Sequence, residues 1–320
     1  MKVWILVYVD DIAAAANVTS KLVWFFEALF KRFNAKNLGG IEKILGVRIT
    51  RDRKNLTIYL DQEQYLSATL DQFGITYAKH ISKKIPAADY EKIRPANETD
   101  ERINVTEYQK GIGKLMFAMI LTRPDIAFVI GRLSQYMKDP AMHHGVALKS
   151  LMRYLRSTVK QRLRFGPWGA HQRQFAVYTD ADWATDKTDR KSISGEKQNS
   201  IATSSAEAEY ISQAMYAKQG QWTAQILRDM HMPEIINSNG ITVKMYGDNQ
   251  GALALVRNPH LHERSKHIDI CHHFIRDLAE KKMLVIDYIP TSEMIADGMK
   301  KPLQVERFKR QLGLDNGSGL

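Results

Sequence analysis

Five acidic side chains are spaced so that they could hold a metal ion. Asp180 and Asp182 close the apolar run Phe175-Ala176-Val177-Tyr178-Thr179. Residues two apart on a strand share a face, so both can look toward one site. Glu209, Asp248 and Asp297 follow at the ends of other predicted elements. Carboxylates gathered from separate elements repel one another unless a cation sits among them. Oxygen-only donors suit a hard ion, magnesium first. A further pair, Asp10-Asp11, follows the apolar run Val3 to Val9. Adjacent acids at the tip of a buried hairpin are costly without a partner. Two readings stay open there, a metal site and a solvent-exposed Asp-Asp turn.

The elements that must position these acids can be taken in chain order. Residues 3–9 are apolar on both faces and suit a strand buried on both sides, with 12–16 returning as its hairpin partner. Thr19 or Ser20 can cap a helix running to about Phe33, with Leu22, Phe25, Phe26, Leu29 and Phe33 on one side. Gly39-Gly40 breaks it. Strands over 47–50 and 56–60 flank a charged turn, and a helix over 62–73 stops at Gly74. Residues 78–106 turn polar and proline-bearing, as in a linker or an extended crossing segment. Three helices are predicted over 107–121, 124–137 and 140–159, with Pro124 and Pro140 in first-turn positions. In the last, Lys149, Arg153, Arg156 and Lys160 fall on one narrow face beside an apolar one. That face either tracks a phosphate backbone or is ordinarily solvated. Gly166-Pro167-Trp168-Gly169 marks a boundary. Past the strand ending in Asp180 and Asp182, a helix runs from Ser205 to about Met230, opened by the capping-box pattern Ser204-Ser205-Ala206-Glu207. A strand over 241–246 leads to Asp248, helices follow over 249–257 and 265–282, then a strand over 283–289 and a short helix around Asp297. Strands alternating with helices predict an α/β domain.

A length of 320 residues with 44% hydrophobic content suits two or three domains with real cores. The net charge of +11 favours a polyanionic partner, nucleic acid before an anionic membrane surface. Cys271 is the only cysteine, which excludes a disulfide framework and a thiolate zinc site and fits a reducing compartment. His260, His262, His267, His272 and His273 lack a finger pattern, so zinc is not expected. Lys2 and the apolar run after it resemble a signal peptide only until Asp10, and no stretch is long enough to span a bilayer. A soluble intracellular protein is expected.

Several words in the chain carry a resemblance. Tyr178-Thr179-Asp180-Ala181-Asp182-Trp183, Asp189-Arg190-Lys191-Ser192-Ile193-Ser194-Gly195, Ser204-Ser205-Ala206-Glu207-Ala208-Glu209-Tyr210, Gly247-Asp248-Asn249-Gln250 and Arg264-Ser265-Lys266-His267-Ile268-Asp269-Ile270 stand in that order. Together they resemble the ribonuclease H domain of copia-type retrotransposon Pol polyproteins. Tyr8-Val9-Asp10-Asp11 is similar to the reverse transcriptase box of the same family. Leu45-Gly46-Val47 and Thr122-Arg123-Pro124-Asp125-Ile126 match its later palm and thumb segments. The resemblance covers essentially the whole chain. It implies a truncated reverse transcriptase palm over 1–75, a linker and helical thumb or connection region over 76–168, and a ribonuclease H-like domain over 169–320. Asp180, Glu209, Asp248 and Asp297 would then hold two magnesium ions, with manganese as the alternative, for hydrolysis of RNA paired to DNA. Asp182 is the runner-up to Asp180, and the resemblance rather than helical periodicity selects Glu209 over Glu207. Asp10, and less directly Asp11, would be polymerase metal ligands. The implied partners are an RNA–DNA hybrid or other nucleic acid and complete Pol subunits, in a cytoplasmic particle or the nucleus.

The chain departs from the family pattern in two places. It starts almost at the Tyr-Val-Asp-Asp strand, without the fingers and the earlier palm strand that carries the partner aspartate. No DNA synthesis is expected of it alone. Between Gly195 and Glu196 the apolar hairpin of the second and third ribonuclease H strands is missing. The first and fourth strands should stay adjacent and keep the acids together. Losing two strands nonetheless costs an amount comparable to the ~5–15 kcal/mol by which domains are stable, and bares an edge prone to aggregation. No histidine lies between Ile289 and Asp297, where many cellular ribonucleases H carry one. The expectation is an α/β fragment, an α+β palm and thumb remnant followed by a mixed-sheet domain without that hairpin. Three readings stay open: a two-metal nuclease, a catalytically inactive nucleic-acid-binding remnant, and a remnant without activity or a stable fold.

Overall fold

The computed structural model describes residues 2–76, 93–166, 174–183, 192–194, 196–198, 202–237, 239–257, 269–299 and 312–315. The first apolar run forms β1 (Val3–Tyr8), which pairs antiparallel with β2 (Asp11–Ala16). Tyr8 faces Asp11, so Val9 and Asp10 make the turn, Val9 at φ 52°. The strand is not buried on both sides as its composition suggests. Val7 is 63% exposed, and β1 and β2 form a two-stranded sheet by themselves. The helix that follows approaches β2, yet the outer part of β1 stays exposed. Next comes α1 (Thr19–Arg32), preceded by Val18, which provides no side-chain cap; Thr19 and Ser20 are its first two residues instead.

The charged turn predicted after residue 50 joins β4 (Val47–Asp52) to β5 (Thr57–Asp61), with β3 (Lys43–Ile44) on the other side of β4. The following α2 (Glu63–Gln72) ends where Gly74 takes φ 68°, a conformation open to glycine at little cost. Asn104 caps α3 (Val105–Leu121) by accepting from the Glu107 amide at 3.0 Å. The single helix predicted over 124–137 is divided, a 3-10 turn at Pro124–Ile126 leading into α4 (Ala127–Ser134). Pro124 takes the first-turn position, whereas Pro140 precedes α5 (Met142–Ser157), and its carbonyl accepts from Ile103 N at 3.1 Å. Leu66, Leu70, Ile112, Leu115, Ile130 and Leu151 belong to one buried cluster that joins α2 to α3, α4 and α5. This cluster runs across residue 75, so the stretches 1–75 and 76–168 share a core. Strand β6 (Arg162–Phe165) then pairs with β5.

A second cluster forms around a parallel sheet. β7 (Ala176–Tyr178) precedes the two-residue strands β8 (Ile193–Ser194) and β9 (Glu196–Lys197), which among the described residues pair with each other. Then come α6 (Ser205–Asp229), β10 (Val243–Gly247), α7 (Gln250–Arg257), α8 (Asp269–Glu280) and β11 (Leu284–Tyr288). β10 pairs parallel with both neighbours, in the order β11-β10-β7, so the strand that leads to Asp180 lies beside the one that leads to Asp248. Parallel strands require crossovers, and α6 supplies one by lying close across the sheet. At Gly220 a Cβ would stand 3.0 Å from Val177 Cγ2 and 3.3 Å from Val243 Cγ1, so a small residue lets the helix approach. Among the described residues no strand pairs with the outer edge of β7. Two 3-10 turns, Thr291–Glu293 and Ile295–Met299, follow β11. Finally β12 (Leu314–Asp315) pairs with β6, completing an antiparallel sheet ordered β12-β6-β5-β4-β3. The fold is mixed α/β, with the last described strand returning to the sheet of the first unit.

Candidate metal centre

Three of the acids meet where the parallel sheet ends. Asp180 lies two residues beyond β7, held by its backbone: Thr179 N donates to the Tyr246 carbonyl at 2.9 Å, and the Ser212 hydroxyl to the Asp180 carbonyl at 3.2 Å. Glu209 comes from the first turns of α6. Ser204 caps this helix by accepting from Glu207 N at 3.2 Å. The reciprocal bond of the capping box is diverted, because the Glu207 carboxylate takes the Thr203 amide at 2.8 Å and also its hydroxyl. Glu209, about 200° further round the helix, accepts from Ala181 N at 2.8 Å instead. Asp248 leaves the end of β10, and the Thr291 hydroxyl donates to its Oδ2 at 2.8 Å.

One carboxylate oxygen each from Asp180, Glu209 and Asp248 lies within 4.8 Å of the others. Asp180 and Glu209 are 5% and 4% exposed, and Asp248 is half-buried. Burial deprives ionised carboxylates of water, and mutual proximity adds like-charge repulsion. The residues present fit a hard divalent cation. Magnesium–oxygen bonds of about 2.1 Å bring ligand oxygens to within about 4.2 Å of one another, a spacing comparable to the limit within which these three oxygens lie.

The other predicted acids are placed elsewhere. Asp182 is half-buried and outside the set of three. Asp297, also outside it, is buried on the Ile295–Met299 turn, which approaches Pro124–Ile126 and α4. Asp10 and Asp11 are exposed at their hairpin, and no further cluster of three candidate ligands occurs among the described residues. The words 184–191 and 258–268, with His260, His262 and His267, lie outside the described residues.

The predicted basic face is corrected at two positions, because α5 ends at Ser157 and leaves Lys160 beyond the helix, and because Arg156 does not face solvent. Lys149, Arg153 and Lys160 are exposed, whereas Arg156 is buried. Its Nε donates to the Ile75 carbonyl at 2.8 Å, and its guanidinium also meets Asp71. This side chain ties α5 to the end of α2 rather than facing solvent. Two features escaped the sequence reading. Thr291 carries no signal beyond following a proline. Arg123 and Asp125, quoted for their resemblance, form a buried bidentate pair at 2.9 and 2.7 Å, with the Tyr154 hydroxyl donating to Asp125 at 2.6 Å. Burial, first, and the Asp125 charge push the Tyr154 phenol far above its ordinary range.

Fold and site thus define a mixed α/β protein with a candidate acidic metal-binding group at the end of a parallel sheet. The chain is 32% identical over 326 residues to the retrovirus-related Pol polyprotein from transposon TNT 1-94 of Nicotiana tabacum, covering 95% of this chain and 24% of that protein. It is 32% identical over 334 residues to the corresponding polyprotein from transposon RE2 of Arabidopsis thaliana, covering 98% of this chain and 22% of the other. Secreted RxLR effector protein 161 of Plasmopara viticola is 36% identical over 129 residues, which is 36% of this chain and 89% of the effector. The chain belongs to the copia-type retrotransposon Pol polyproteins and spans less than a quarter of the length of these Pol relatives. No protein-family model and no solved structure matches it. No helix among the described residues is long and apolar enough to cross a membrane.

Proposed function

We propose that this segment of a copia-type Pol polyprotein carries a ribonuclease H-type site that hydrolyses the RNA strand of RNA–DNA hybrids. The observation that carries this reading is the meeting of Asp180, Glu209 and Asp248, from two strand ends and the helix crossing them. In this reading residues 169–320 are the nuclease domain, 76–168 a thumb or connection region, and 1–75 palm, with Asp10 and Asp11 as polymerase ligands. Asp180, Glu209 and Asp248 would hold divalent magnesium, with Asp297 the fourth carboxylate. Bound there, magnesium supplies a lowered water pKa and charge neutralisation at the phosphate. The protein's own part is to orient the carboxylates, through the Ala181 amide on Glu209 and the Thr291 hydroxyl on Asp248. Lys149, Arg153 and Lys160 offer exposed cations for the phosphate backbone.

A second reading, a catalytically inactive nucleic-acid-binding remnant, is favoured by one observation, the placement of Asp297 outside the set. Cleavage of a labelled RNA–DNA hybrid in magnesium separates the two. The nuclease reading expects cleavage by the wild type and none by Asp248→Asn. Salt-sensitive binding by folded wild-type protein without cleavage would select the remnant.

A further inference from the structure

We propose that Thr291 is a positioning residue for this site, setting the orientation of the Asp248 carboxylate and through it the affinity for a divalent cation. The inference rests on the metal-site reading above. An aspartate at a strand end, half in solvent, has no intrinsic preference for one carboxylate orientation, because its terminal torsion is broad. Here one oxygen is fixed from outside the strand, by the Thr291 hydroxyl at 2.8 Å from Oδ2.

The donor is itself anchored. Ile289 N donates to the Gly247 carbonyl at 3.0 Å, tying the end of β11 to the residue before Asp248. Pro290 follows at φ −59°, and Glu293 N closes a turn onto the Pro290 carbonyl at 2.7 Å. Thr291 is thus delivered to Asp248 by a backbone bond on one side and a tight turn on the other. On the far side, a Cβ at Gly247 would stand 3.0 Å from Gln213 Nε2 of α6, so the chain leaves β10 against the helix that carries Glu209. The segment that begins with Thr291 also leads into the turn bearing Asp297. One hydroxyl therefore links an acid of the set to the element carrying the acid outside it. Partners that orient metal ligands typically account for about 10–100-fold in metal affinity.

The test is calorimetric titration of the full chain with Mn2+, alongside melting in chelator. Thr291→Val, which keeps the shape and removes the donor, should weaken Mn2+ binding about 10-fold, and Thr291→Ser should stay within about 2-fold of wild type. Both should melt with the wild type in chelator, since position 291 is exposed. Thr291→Ala provides the same loss of donor should the valine variant not fold. Wild-type affinity in Thr291→Val or Thr291→Ala, with binding lost in Asp248→Asn, would overturn the inference and leave the metal site standing. Mn2+ binding unchanged by Asp248→Asn would overturn the metal site and the inference together.

Discussion

Asp125, inside the Pro124–Ile126 turn, and Asp180, two residues past β7, are both buried aspartates, yet the protein meets their charge in opposite ways. Around Asp125 it supplies a cation of its own, the fully buried Arg123, with a tyrosine hydroxyl on the same carboxylate. Around Asp180 it brings two more acids, Glu209 and Asp248. A buried pair with its counter-ion is a finished structural unit. A buried group of like charges is finished only when something positive enters. The comparison separates a structural acid from a candidate functional one without reference to exposure, since both residues are equally hidden.

The largest expected effect lies on the structural side. Asp125→Ala strands the Arg123 guanidinium in the core and should cost about 3–5 kcal/mol of stability, read from urea unfolding. A loss below about 1 kcal/mol would mean that solvent reaches Arg123 and that the pair is not the unit described. Next comes Arg156, whose buried donor to the Ile75 carbonyl predicts a loss of about 1.5–3 kcal/mol in Arg156→Met. Its neighbours should behave otherwise. Lys149→Ala and Arg153→Ala should leave unfolding unchanged while each lowers the salt dependence of hybrid binding by about one unit of slope. Equal effects of Arg156 and Lys149 on both measurements would restore the continuous basic stripe.

A smaller effect tests the helical unit through pH. His144 is buried, its Nδ1 accepting from Ala141 N at 2.9 Å and its Nε2 2.8 Å from the Arg94 carbonyl. Burial first, then the neighbouring His143, lowers its pKa to about 4, against an opposing pull from Asp100. A histidine depressed in the folded state stabilises it above the unfolded pKa of about 6.5, and that contribution is lost as pH falls from there toward 4. Stability should decline by at most about 1.4 kcal/mol per pH unit in this window. His144→Asn, which keeps an acceptor for Ala141 N, should flatten the decline. An unchanged slope would assign it to other groups.

Much of the site was legible before the structure because its acids sit at punctuation points of the chain. Asp180 and Asp248 end apolar runs, and the cap at Ser204 fixed where the next helix begins. That cap even held an unused signal, because a glutamate at the third helical position is committed to the helix start, which leaves Glu209 rather than Glu207 for the site. What was not legible depends on partners distant in sequence. Arg156 shares a helix face with Lys149 and Arg153, and it is buried where it meets Asp71 of α2 and Ile75 beyond that helix. β1 is apolar enough for a core, but burial needs a covering layer, which composition does not report. The pairing of β12 with β6, and the carriage of Asp297 toward Pro124–Ile126 rather than into the set of three, are likewise tertiary outcomes.

The central claim is the proposed one, that Asp180, Glu209 and Asp248 together bind a divalent cation. The direct measurement is unfolding of the wild type and Glu209→Gln, each in chelator and in saturating magnesium. Removing one of three crowded charges should leave the chelated protein at least as stable as the wild type. Magnesium at about 100 times its Kd should stabilise the wild type by about 2.7 kcal/mol and the variant far less. A Glu209→Gln protein that is less stable in chelator and gains as much from magnesium as the wild type would contradict the account.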